Sequence, residues 1–402
     1  MKTSTVGFKS VMALLVCLTF TGACVRSTAA TPLGLYQGST PGTLMYQGKL
    51  FRGIGVNYFD AFYRNNTTYQ TGFAYLQSQN IPFIRVMLSP GYWPNDFSEY
   101  LTNRQAYFQR MDAFVHDAET YHIGLIASLF FNPMTISDVV GEPQDQWGNP
   151  NSKTIAFMKT YIQEMVNRYY NSPAIWGWEF GNELNKSDCD LLDQAINYLP
   201  PVNVAEGTPA SRTAADEMTT AIINVAYTQF AQTVRLYDPT RIVLTGNDIV
   251  GNNQYNRAEL GMWNTDTAQQ FNAIMAIQEP SPIDTTTMHL YPGDLGSSGM
   301  YFNGANTTAT DLVNEAMDVA NYENQPLVVE EFGASDTDAN TQTEFTDLLN
   351  TIVTSQVPLS AMWVYDYSGQ NGTYNVTQSN SRAYQLADVV SAEAQIRAQL
   401  GL

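Results

Sequence analysis

From residue 50 onward, short apolar runs alternate with longer segments of helical spacing. Eight runs read as strands: residues 51–58, 82–88, 123–131, 174–180, 241–245, 286–291, 327–332 and 359–365. Several are apolar almost without interruption, the pattern of strands covered on both faces of a parallel sheet. Between them the spacing becomes helical. Phe108, Met111, Phe114, Val115 and Ala118 fall on one helical face, as do Ile155, Met158, Ile162, Met165 and Tyr169. Segments 218–234 and 345–352 behave similarly. Alternation of strand and helix predicts α/β units. Eight such strands predict a closed (β/α)8 barrel, the TIM-barrel architecture, with a doubly wound sheet as the alternative.

A barrel of this kind takes about 250 residues, whereas the chain has 402. The surplus falls in residues 89–101, 132–152, 184–210, 248–266 and 292–309. Each stretch follows a predicted strand, which assigns it to the C-terminal rim where such barrels carry their sites. Trp93, Trp147, Trp263 and Tyr301 lie in these extended loops. Their flat rings suit either stacking on sugar faces or packing of the loops. At least one of the three tryptophans is expected further along a cleft.

Residues 1–30 are set apart from the fold. Lys2 and Lys9 precede a mostly apolar run over 11–23, too short to span a bilayer comfortably, and small residues follow. This is the pattern of a secretory signal peptide, with a cut after Ala30 or, in lipoprotein fashion, before Cys24. Residues 31–402 then form one catalytic domain, secreted or periplasmic, or lipid-anchored through Cys24. No later segment is apolar enough to span a membrane, and a monomer is expected.

Charge narrows the partners. The 38 acids against 19 Lys and Arg give a net charge of −19, and loss of residues 1–30 would remove cations and no acid. Such a field repels a phosphate backbone, so nucleic acid is excluded as a partner, while a neutral polysaccharide or oligosaccharide is compatible. Of three cysteines, Cys17 and Cys24 lie in the leader and Cys189 stands alone between acids, which argues for a structural thiol over a catalytic one. His116, His122 and His289 show no zinc spacing, and no phosphate loop or Gly-x-Ser-x-Gly elbow occurs.

Four charged features fall at strand ends. Trp178-Glu179-Phe180-Gly181-Asn182-Glu183 closes the fourth strand, and Val329-Glu330-Glu331-Phe332-Gly333 closes the seventh. His289-Leu290-Tyr291 closes the sixth, and Arg85 interrupts the apolar second. Buried charges at such positions demand partners. Two carboxylates around a neutral ligand suit glycoside hydrolysis, one protonating the leaving oxygen and the other attacking the anomeric carbon. Cations and hydroxyls would keep the attacker ionised, and a less polar setting would keep the other protonated. Arg85, His289 and Tyr291 are the right kinds of neighbour.

Arg85 on strand two, Asn182-Glu183 on strand four, His289-x-Tyr291 on strand six, Glu331-Phe332-Gly333 on strand seven and Trp363 on strand eight, in this order, resemble glycoside hydrolase family 5 of clan A across residues 50–370. The resemblance implies that Glu183 is the acid/base and Glu331 the nucleophile of a retaining O-glycosyl hydrolase. Asn182 would bind the sugar 2-hydroxyl, Arg85 would keep Glu331 ionised, His289 and Tyr291 would orient carboxylates and sugar, and Trp363 would floor the sugar site. No metal or organic cofactor is implied. Many cellulases of the family carry a histidine near the end of strand three, where this chain reads Phe130-Phe131-Asn132. The sequences around Glu183 and His289 look more like the mannan-degrading branches, so β-1,4-mannan is favoured over β-glucan. A non-catalytic glycan-binding surface protein and a transglycosylase are the alternatives. Strand alternation turns Glu330 outward, toward a helix or loop, if Glu331 faces the site. Glu179 shares the parity of Glu183 and reads as a supporting carboxylate or a structural partner.

Overall fold

All eight expected strands form, and all are parallel. The computed structural model describes residues 31–64, 68–89, 97–187, 212–335 and 340–401. Three short antiparallel strands come first: β1 (Leu35–Gln37), β2 (Leu44–Tyr46) and β3 (Lys49–Phe51). The barrel strands follow as β4 (Gly53–Asn57), β5 (Phe83–Met87), β6 (Gly124–Phe130), β7 (Ile175–Gly181), β8 (Ile242–Leu244), β9 (Thr286–Leu290), β10 (Leu327–Phe332) and β11 (Leu359–Met362). They pair in the order β8-β7-β6-β5-β4-β11-β10-β9. A nearly closed barrel results, and the doubly wound alternative falls away.

Helices cover the outside through the faces that the spacing predicts. Phe108, Met111, Phe114, Val115 and Ala118 of the helix Arg104–Thr120 are buried, as are Ile155, Met158, Ile162, Met165 and Tyr169 of Lys153–Tyr169. Several helices begin where a hydroxyl accepts an otherwise unpaired backbone N–H. Ser152 does so for Ile155, Thr219 for Ile222, and Thr308 forms a reciprocal box with Asp311. Among the described residues no helix is long and apolar enough to cross a membrane.

The barrel interior is layered. At its N-terminal end, Phe83, Ile126, Trp176, Ile242, Leu244, Val328, Leu359 and Ala361 pack together. Leu35, Leu44 and Phe51 of the small sheet join them, so this sheet plugs the bottom. Its strands are three residues long, too short to show a period, and the sequence pattern does not reveal them. Consequently Phe51 ends β3, and the first barrel strand starts at Gly53. Four of the expected irregular loops also contain short α-helices, Ser98–Thr102, Met134–Val140, Gln254–Leu260 and Gly296–Gly299.

Between β8 and β9 side chains replace a continuous ladder. Glu279 accepts from Thr245 Oγ1 at 2.9 Å, from the Thr287 amide at 3.0 Å and from Thr287 Oγ1 at 2.8 Å. Asp284 Oδ1 accepts from the Val243 amide at 2.7 Å. Burial pushes Glu279 from its ordinary 4.5 up to about 8, against those hydrogen bonds, and pushes Asp284 up to about 6. A raised carboxyl pKa stabilises the folded state fully below the unfolded value, and that stability disappears as pH rises through the folded one. The unfolding free energy is therefore expected to fall by on the order of a few kcal/mol between about pH 5 and about pH 8.5. Glu279→Gln, which cannot ionise, should flatten that slope in denaturant titrations. An unchanged slope would assign the pH dependence elsewhere.

Candidate active site

Parity places the charged groups in the barrel. Phe83 points into the apolar interior layer, so Arg85, two residues on, also points inward. Its guanidinium is buried, and each of its nitrogens has a partner. Nε donates to Glu179 Oε2 at 2.7 Å, Nη1 to Glu331 Oε1 at 2.6 Å and to Asn57 Oδ1 at 3.2 Å, and Nη2 to Asn182 Oδ1 at 2.8 Å. The planar fork of arginine suits such simultaneous bonding better than a lysine ammonium. Glu179 is thus a supporting carboxylate for the site.

Glu183 sits beyond β7 on a tight turn. Its φ is +53°, and its amide donates to Gly246 O at 2.8 Å. Gly246 permits this close approach: a Cβ there would lie 1.9 Å from Gly181 O. Left-handed backbone at a glutamate costs about 1 kcal/mol, and here it aims the carboxylate across the mouth toward β9 and β10. Glu183 Oε1 lies 2.9 Å from His289 Nδ1 and 3.0 Å from Lys186 Nζ. His289 Nδ1 is also 3.5 Å from Glu331 Oε2. One oxygen of each glutamate and that ring nitrogen all lie within 4.8 Å of one another. Tyr291 donates to Glu331 Oε2 at 2.6 Å. Of the residues singled out from the sequence, Arg85, Asn182, Glu183, His289, Tyr291 and Glu331 therefore form one cluster, joined by hydrogen bonds and, between His289 and Glu331, by an ion-pair approach.

Trp363 lies at the edge of this cluster. Its ring stacks on Phe59 at 5.1 Å, Phe59 stacks on Phe131 at 5.4 Å, and Arg85 lies over Phe131 at 5.5 Å. Gln370 accepts from its indole N–H at 2.9 Å. With 9% of its surface exposed, Trp363 presents one restricted face. The loop aromatics divide. Trp147 is completely buried against Phe130 and Phe180, which selects loop packing over a sugar platform for this ring. Tyr301 is buried too, with its hydroxyl donating to Val250 O. Trp263 is 75% exposed on the rim, with Arg257 over its ring at 4.2 Å. Trp93 and Cys189 lie outside the described residues.

Glu330 departs from the outward orientation that alternation predicts. β10 is irregular in its pairing with both neighbours after Val329. Val328 points inward, and so does Glu330, which is 1% exposed and feels the charges of Glu179, Arg85 and Glu279. The irregularity then brings Glu331 inward as well, at the mouth.

The electrostatics also depart from expectation. Burial drives the Glu183 carboxyl upward, but the hydrogen bond and charge of His289 and the charge of Lys186 outweigh it, taking the group down to about 2. Burial opposes a charge on His289, yet Glu331 and Glu183 more than offset it and raise its pKa. The lowered Glu183 carboxyl and the raised His289 imidazole together favour an ionised Glu183 facing an imidazolium. Asp248, raised to about 7 chiefly by burial and then by Glu183, completes the set through Lys186 at 2.6 Å. Lys186, Asp248 and Asn57 are the site residues that the sequence reading missed. Asn57 alone had a local signal, a polar residue ending an apolar strand.

The description Cellulase (glycosyl hydrolase family 5) belongs to the family pattern that matches residues 45–369. Mannan endo-1,4-beta-mannosidase A of Podospora anserina is 29% identical over 167 residues, covering 36% of this chain and 43% of that protein. Mannan endo-1,4-beta-mannosidase A of Hypocrea jecorina is 22% identical over 360 residues, covering 84% of this chain and 70% of that protein. The chain thus spans less than half the length of the first relative. The crystal structure of the endo-1,4-beta-mannanase from Rhizomucor miehei superposes with a TM-score of 0.67 at 20% identity, covering 91% of this chain and all of that one. At that identity the likeness is one of fold. The family match, spanning most of the barrel and both glutamates, makes this chain a member of glycosyl hydrolase family 5.

Proposed function

We propose that the chain is a retaining endo-β-1,4-mannan hydrolase, with Glu331 as nucleophile and Glu183 as acid/base. The carrying observation is the convergence of the two carboxylates on His289 Nδ1 within 4.8 Å. Retaining enzymes hold their carboxyl groups about 5–5.5 Å apart, whereas inverting ones leave room for a water between them. Glu331 is ordered for in-line attack by Arg85 on Oε1 and Tyr291 on Oε2. Its oxygen bonds to the anomeric carbon as the glycosidic C–O bond breaks.

The departing oxygen takes a proton from Glu183, which draws it from His289 Nδ1 as the sugar displaces water and Lys186 from the carboxylate. Glu183, ionised once more, removes a proton from the incoming water, whose oxygen bonds to the anomeric carbon and releases Glu331. Two inversions give net retention. Asn182, held by Arg85 through Oδ1, turns its amide nitrogen to the sugar 2-hydroxyl, and Trp363 stacks beneath the ring. Mannan is preferred over glucan because the relatives matched by sequence bear mannan-cleaving names. The signal-like residues 1–30 support export.

Reducing-end release should be faster from soluble mannan than from carboxymethyl-cellulose, and proton NMR should detect the β-anomer of the product first. Initial appearance of the α-anomer would sink the double displacement. Equal or greater activity on the glucan would sink the substrate assignment while leaving the chemistry intact.

A further inference from the structure

Below Glu331 the barrel holds a second pair of carboxyls that the reaction does not use. Glu330 on β10 and Glu179 on β7 both point into the barrel, both are buried, and each acts on the other's charge. Neither oxygen of Glu330 receives a protein N–H or O–H among the described residues, and neither does Glu179 Oε1. Two ionised carboxylates in contact in a dry interior repel each other strongly, whereas a single proton between them makes one the donor and the other the acceptor. The backbone holds Glu330 at this depth, because Asn57 Nδ2 donates to its carbonyl at 2.8 Å.

We propose that Glu330 and Glu179 share one proton, and that this half-neutralised pair keeps Arg85 turned toward the nucleophile. Arg85 spends Nε on Glu179 and Nη1 on Glu331. Loss of the shared proton would set one guanidinium against three carboxylates and draw it down the barrel, away from Glu331. Glu330 is therefore a positioning residue that acts through Arg85. The groups facing it are Glu179 from β7, Arg85 from β5, Glu279 before β9 and, from the helix Thr220–Tyr237, Tyr227. Burial and the neighbouring acids favour its protonated form, and Arg85 opposes it.

The catalytic readouts rest on the glycosidase reading, whereas infrared spectroscopy does not. The wild type minus E330Q difference spectrum at neutral pH should show the carbonyl band of a buried carboxylic acid, because glutamine supplies the same donor without a titratable proton. A spectrum without that band would mean two ionised, hydrated carboxylates and would overturn the proposal, whatever the activity. If wild type is inactive on every glycan while the band is present, the function fails and the pair stands. In kinetics, E330Q should keep kcat/KM within about threefold near neutral pH, whereas E330L, which leaves Glu179 Oε1 without a donor, should lose roughly 10- to 100-fold in kcat with little change in KM, as displaced catalytic geometry does. Equal kcat for E330L and E330Q would overturn it. Should E330L not fold, the alkaline limb of kcat/KM on an activated aryl glycoside decides. E330Q should hold activity to higher pH than wild type, and coincident limbs would refute the shared proton.

Discussion

Glu331→Ala is expected to abolish turnover on natural glycans and on activated aryl glycosides alike, by about 10⁴-fold or more, as for loss of a covalent nucleophile. No leaving group compensates for a missing attacking oxygen, and the insensitivity to leaving group is the diagnostic feature. Azide should restore activity by entering the space of the lost carboxylate, and the glycosyl azide should have inverted configuration, since only one displacement takes place. Arg85 and Tyr291, which both hold Glu331 in the wild type, remain as anion-attracting donors beside that space. A rescued product with retained configuration would reassign the nucleophile.

Glu183→Ala should behave differently in each half-reaction. On a natural glycan it should lose roughly 10²–10⁴-fold, the range of acid–base assistance. With an activated aryl glycoside the first step needs little protonation, so a covalent glycosyl-enzyme should accumulate, detectable as a mass increment. Azide should then give a retained product. The position of the proton adds a test of pH dependence. The lowered Glu183 pKa and the raised His289 pKa favour the proton on the imidazole. His289 has a raised pKa, so this proton is present at lower pH and departs as pH rises through that raised value. The alkaline limb of kcat/KM on a natural glycan should report that loss, and on the activated substrate the limb should move upward. Identical limbs on both substrates would separate His289 from acid catalysis.

Much of this site is legible from strand ends. Glu183, His289, Tyr291, Glu331 and Trp363 each stand at or near the end of an apolar run, and Arg85 interrupts one, positions where a charged, polar or large flat side chain has no packing reason to be. Covered strands have a strong signal because burial on both faces demands near-continuous apolar residues. The short sheet over residues 35–51 lacks that signal, since its strands are fixed by contact with the barrel floor and not by their own periodicity. Trp147 shows what loop position leaves open. Its loop follows a strand as a rim loop should, but the chain folds back and buries the ring against Phe130 and Phe180. Loop membership sets where a residue starts, and packing decides which way it faces.

The amino-acid sequence by itself determined the eight-strand rhythm and the barrel, and placed Glu183 and Glu331 at strand ends. Those features follow from local hydrophobicity, repeated along the chain, and from the geometry that any closed parallel barrel imposes. Only the tertiary structure decided where Glu330 points, where the proton between Glu183 and His289 resides, and that Lys186 and Asp248 belong to the site. Strand alternation predicts Glu330 outward, but pairing irregularity in β10 turns both neighbouring acids inward. The protonation pattern depends on distances among groups far apart in sequence: Glu183 and His289 are 106 residues apart, yet their charged atoms lie 2.9 Å from each other. Coulomb energy varies with spatial distance and local dielectric, and neither is written in the order of residues until the chain has folded.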